Sequence, residues 1–84
     1  MLMGQFVDSR KRLDPKTAAA VLGLDEDWFD HSGVVAVHVY AGRYYIEELG
    51  SYYLLTIMNT SWDSYDIAEL EEHLYDYYCA EEWA

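Results

Sequence analysis

The chain has 84 residues, with 16 Asp or Glu against 5 Lys or Arg and a formal net charge of −11. That length suits one domain, 1–84, with one modest core, and leaves too little material to build a deep catalytic cleft as well. A body this negative repels nucleic-acid phosphates and anionic membranes and is drawn to basic protein surfaces.

Disorder is not implied by the charge, because 52% of the residues are hydrophobic and nine are Tyr. One cysteine, Cys79, allows no disulfide within the chain, which fits a reducing setting. Met1 to Val7 is too short and too weakly apolar for a signal peptide, and no apolar run reaches membrane length. The expected compartment is the cytoplasm, of the host cell if the gene is phage-borne.

The charge is unevenly placed. Residues 1–16 hold four bases (Arg10, Lys11, Arg12, Lys16) against Asp8 and Asp14, a net +2. Residues 17–84 hold fourteen acids against Arg43, a net −13. Residues 1–12 read as a flexible arm or a short extra strand. The basic segment suits either such an arm or an internal counter-charge for the acidic body.

A short helix is expected over Leu13 to Gly23. Asp14 suits the N-cap, Pro15 the first helical position and Gly23 the position after the last turn. Thr17 to Leu24 has the look of the first half of a helix-turn-helix. The recognition helix would then begin at Asp25 and carry Asp25, Glu26, Asp27 and Asp30 into a phosphate-lined groove, which argues against direct nucleic-acid binding. Asp25 instead caps a turn through Phe29, and Asp30-His31-Ser32-Gly33 reads as a loop.

Val34–Tyr40 is a strand by its valines, and Ala41-Gly42-Arg43 is a hairpin turn with Gly42 at positive φ. Tyr44–Leu49 returns, Gly50-Ser51 turns again, and Tyr52–Thr60 is expected as the third strand of an antiparallel meander. Ser61 to Ser64 then opens the main helix, with Asp63 or Ser64 as N-cap. Ile67, Leu70, Leu74, Tyr77 and Tyr78 form its apolar stripe. The predicted fold class is α+β: a short N-terminal helix, a three-stranded antiparallel sheet, and a C-terminal amphipathic helix packed on one face, in two layers.

The main helix also carries the sharpest functional signal. Asp66, Glu69, Glu72 and Asp76 follow one another at spacings of three, three and four on a stripe beside the apolar one. At about 1.5 Å per residue they span roughly 15 Å, with a charge about every 4.5–6 Å, in fair imitation of a row of phosphates. Such neighbours repel, and no Lys or Arg lies on the helix to relieve them. Glu71 widens the stripe, and Glu47 and Glu48, one on each face of the middle strand, are candidates to extend it. Tyr65 and Tyr75 add aromatic surface suited to Lys and Arg. The bland reading of such a stripe is a solvated face; the missing counter-charge favours an interface.

No motif identifies a reaction, and the chain is expected not to be an enzyme. His73 lies within a helical turn of Glu69 and Asp76, but no metal-binding motif accompanies it, so no metal or cofactor is expected. In size, acidity and lack of catalytic motifs the chain resembles in type the small acidic inhibitors of phages and mobile elements, the anti-CRISPR and other DNA-mimic proteins. That resemblance implies a basic partner, a nucleic-acid-binding protein or complex such as a CRISPR-Cas effector or a restriction enzyme. The alternative is a self-associating accessory domain, whose Tyr and Trp residues form a homodimer interface while the acids confer solubility.

Overall fold

Asp14, Pro15 and Gly23 do what their chemistry predicts. The Asp14 side chain accepts the Thr17 backbone N–H at 3.2 Å, Pro15 opens the helix, and Gly23 closes it at φ 72°. This helix is the second in the computed structural model, which describes residues 2–31 and 33–83. Ser32 of the expected loop lies outside the described residues, as does the side chain of Trp83. In chain order the elements are α1 (Met3–Asp8), β1 (Lys11–Leu13), α2 (Pro15–Leu22), β2 (Val34–Tyr40), β3 (Tyr44–Leu49), β4 (Tyr53–Ile57), β5 (Thr60–Ser64) and α3 (Ile67–Trp83).

The strands form one antiparallel sheet in the order β1-β2-β3-β4-β5. The α+β class, the antiparallel sheet and the closing helix agree with expectation; the count of three strands does not. One extra strand comes from Lys11–Leu13, which pairs with Val37–Val39. The other comes from a turn at Met58-Asn59 that cuts the expected third strand short and sends Thr60–Ser64 back along β4. Asn59 is a turn former, but no glycine marks the bend, and Met58 takes φ 55° instead. Thr60 and Trp62 suit a strand, and Trp62 sits opposite Leu55.

The main helix therefore begins later than expected. Neither Asp63 nor Ser64 is its N-cap, since both belong to β5. Asp66 takes that role, accepting the Ala68 backbone N–H at 3.0 Å, while the Ser64 hydroxyl accepts the Asp66 N–H at 3.0 Å.

Strand alternation divides the core in two. Tyr40, Tyr44, Ile46 and Leu55 face α3 and meet Leu70, Leu74 and Tyr78 of its apolar stripe. Val37 and Val39 face the other way and meet Ala18, Ala19 and Phe29 beneath α2. Helices thus lie on both faces of the sheet, giving three layers rather than the expected two. Residues 2–10 are no loose arm. Phe6 of α1 is fully buried, stacked on Tyr40 at 5.2 Å and tilted against Tyr78 at 4.9 Å. Burying a Phe contributes about 2–3 kcal/mol, which is what lets a six-residue helix persist. Ser9 fastens the end of α1, accepting the Ala41 backbone N–H at 2.9 Å.

Candidate interaction surface

Four of the five bases are paired inside the molecule. Arg10 Nη1 donates to Glu71 Oε2 at 2.9 Å, and Arg12 grips both oxygens of Glu48 at 3.1 and 3.0 Å. Lys16 lies 3.4 Å from Glu26, and Arg43 lies 3.1 Å from Glu81 and 3.6 Å from Glu82. Arg10, Arg12 and Lys16 of the basic segment are therefore internal counter-charges, the first two fixed by β1 and the junction before it.

This pairing changes the standing of three expected site residues. Glu71 is not on the exposed stripe. It is buried on the inner side of α3, where the Tyr40 hydroxyl also donates to it at 2.6 Å. Burial and that carboxylate push the Tyr40 phenol above its usual range. Glu47 and Glu48 do point to opposite faces, as alternation requires, but neither joins the stripe. Glu48 holds Arg12 and lies 2.7 Å from His38 Nε2. Hydrogen bonds from Arg12, opposed by partial burial and helped by His38, pull its carboxyl down to about 2. Glu47 is buried on the α2 side, with its Oε2 2.8 Å from His31 Nε2 but without hydrogen-bond alignment.

The stripe itself stays whole. Asp66, Glu69, Glu72 and Asp76 are all exposed. Among the described residues none of the four has an ion pair with Lys or Arg. Two have local hydrogen bonds: Asp66 as helix cap, and Glu69, which accepts from the Ser64 hydroxyl at 3.0 Å. His73 lies on the same outer face, and its ring stacks on Trp62 of β5 at 5.1 Å and 16°. The acidic face thus has a flat aromatic plate beside it.

The two tyrosines part company. Tyr65, in the link from β5 to α3, is 84% exposed. Tyr75 is half-buried against Phe6 and Tyr78. Of the other tyrosines, Tyr40, Tyr44 and Tyr78 are buried, Tyr45 packs edge-on against Phe29, and Tyr52, Tyr53 and Tyr77 are half-buried. Asp63, expected as a helix cap, is an exposed acid on β5. The signal for it was the strand character of Thr60 and Trp62.

A second acidic patch lies on the opposite side of the sheet, where Asp14, Asp25, Glu26, Asp27 and Asp30 line a cavity of about 760 Å³ with Lys16, Phe29 and His31. Among the described residues no group of three or more His, Cys, Asp or Glu is arranged to hold a metal ion. No described helix is long and apolar enough to cross a membrane. No family model, curated protein or solved structure matches the chain.

Proposed function

We propose that this protein is an inhibitory binding protein that occupies a basic, nucleic-acid-binding surface of a target such as a CRISPR-Cas effector or a restriction enzyme, presenting α3 in place of phosphates. One observation carries the reading. Arg10, Arg12, Lys16 and Arg43 pair with Glu26, Glu48, Glu71, Glu81 and Glu82, and among the described residues Asp66, Glu69, Glu72 and Asp76 are exposed without an ion pair to Lys or Arg. A fold that only needed solubility has no reason to keep mutually repelling charges along one helix face while placing its cations elsewhere. Lys and Arg of a target would exchange their counterions for these carboxylates and so lose access to nucleic acid. The rival homodimer reading loses Tyr44 and Tyr78 to the core and keeps the half-buried Tyr45, Tyr52, Tyr53 and Tyr77.

The test is displacement of labelled duplex DNA from purified effector nucleases and restriction enzymes. The wild-type chain should release the DNA from at least one class, with potency falling steeply as salt rises. The double reversal Glu72→Lys with Asp76→Lys should lose that potency while remaining folded. Equal potency of the reversed protein would remove α3 from the mechanism.

A further inference from the structure

The sheet ends in two edges of different character. The β1 edge is three residues long and carries Lys11 and Arg12, both exposed. Basic side chains are a common guard against unwanted strand pairing. The β5 edge is longer. Its five residues, Thr60–Ser64, pair with β4 throughout and without a bulge. Among the described residues no strand lies on its other side. It carries neither proline nor a basic residue. Main-chain donors and acceptors on that side are open to a further strand.

Chemistry beside the edge selects what could use it. Among the described residues Tyr52, Asp63, Ser64, Tyr65, Asp66 and Glu69 line a groove of about 670 Å³, three acids with no base among them. Tyr65 is the most exposed aromatic side chain among the described residues.

We propose that the outer edge of β5 accepts an extended, Lys- and Arg-bearing segment of another protein as a sixth strand. Its main chain would pair with β5, and its basic side chains would reach Asp63, Asp66 and Glu69. Tyr65 would lie against the segment and offer its ring face to a cation. In strand addition the main-chain bonds supply affinity and the side chains supply choice. Here the choice is made by charge. A second copy of this chain would bring a further −11 and a second Asp63 to the same edge, and like charges opposed across a strand pair are unfavourable. The β1 edge of a second copy is short, and its Arg12 is already held by Glu48. A basic segment from a different protein meets neither obstacle. This inference rests on the reading of the acidic surface as a docking site and names the kind of segment it docks.

The probe is a short peptide alternating Lys and Thr, titrated into the isotopically labelled full chain. A second peptide of the same charge is N-methylated across its middle, so it cannot pair as a strand. The first peptide should slow amide exchange within Thr60–Ser64, and the second should bind about tenfold more weakly or worse. Asp63→Lys, at an exposed position, should weaken the first peptide with the circular dichroism unchanged. Equal binding of the two peptides, or binding without protection in β5, would overturn the sixth strand. So would light scattering that shows the edge closed by a second copy. The α3 reversal separates the two ideas. If the peptides bind alike but the reversal still abolishes DNA displacement, strand addition fails and the inhibitory reading stands. If the reversal leaves displacement intact, the inhibitory reading is the one that fails.

Discussion

Glu71 and Glu72 are adjacent in sequence and belong to different regions of the molecule. Glu71 is buried against Arg10 and Tyr40, while Glu72 stands exposed on the outer face of α3. The same division runs through the whole chain. Glu47, Glu48 and Glu71 are inner carboxylates with partners contributed by the loop before β2, by β2, and by the segment around β1. Asp66, Glu69, Glu72 and Asp76 are outer carboxylates that, among the described residues, have no ion pair with Lys or Arg. The difference teaches that net charge does not measure how much charge is on offer to a partner. What matters is which acids the bases reach, and in this fold β1 delivers Arg12 to the sheet face and Arg10 to the inner side of α3.

The largest break in that comparison should come at Glu71. Glu71→Ala leaves the Arg10 guanidinium and the buried Tyr40 hydroxyl without their acceptor. The Arg10 side chain is partly exposed and water can take up its donors, but leaving the buried Tyr40 hydroxyl unpaired destabilises by about 1–3 kcal/mol, a large share of the stability of a domain this size. Glu72→Ala should change stability by about 0.5 kcal/mol or less. Urea denaturation of the two variants measures both. Similar losses would erase the distinction between inner and outer acids.

Glu48 gives the next effect and shows itself through pH. Its folded carboxyl titrates near 2, below an ordinary value of 4.5. A carboxyl depressed by folding stabilises the protein fully above its unfolded value, and that stabilisation is lost as pH falls from about 4.5 toward 2. Discounted for its partial exposure, the contribution is on the order of 2 kcal/mol. Glu48→Gln should therefore be less stable than wild type by about that amount at neutral pH. The gap should close between pH 4.5 and 2. A gap that stays constant over that range would mean that shape and hydrogen bonding, not charge, hold β1 to β3 through Arg12.

Much of the fold was legible because its signals are local. The cap and stop of α2, the turn at Ala41-Gly42-Arg43 and the apolar stripe of α3 each follow from a few neighbouring residues. The missed strands depend on distant partners. Lys11–Leu13 has no strand pattern of its own and pairs because β2 offers an edge beside α2. The Met58-Asn59 turn lacks a glycine, so Tyr53–Ile57 and Thr60–Ser64 read as one strand running into a helix start. The acidic stripe was legible for the same reason that α2 was, since helical spacing alone puts Asp66, Glu69, Glu72 and Asp76 on one side. Which acids were taken was not legible. Arg10 and Glu71 are 61 residues apart, and their meeting needs α1, β1 and α3 all in place. Helical phase does set Glu71 away from the stripe, toward the side of Leu70 and Leu74, and could have warned that it was inward.

The smallest effect on stability falls where the largest effect on binding is expected. Glu72 has Glu69 three residues before it and Asp76 four residues after it, all exposed and all of one sign. Glu72→Lys with Asp76→Lys replaces the repulsion between Glu69 and Glu72 by an attraction worth a few tenths of a kcal/mol, screened by salt, and leaves positions 72 and 76 like-charged. At Asp76, in the second half of α3, the added cation also lies in a more favourable direction of the helix dipole. The doubly reversed protein should thus melt slightly higher than wild type at low salt, with the difference fading as salt rises. A loss of more than about 1 kcal/mol would mean that these side chains serve the fold after all, since surface changes that disturb nothing stay within about 0.5 kcal/mol. A small gain in stability, together with failure to displace DNA, would identify the outer carboxylates as charges that folding tolerates and binding uses.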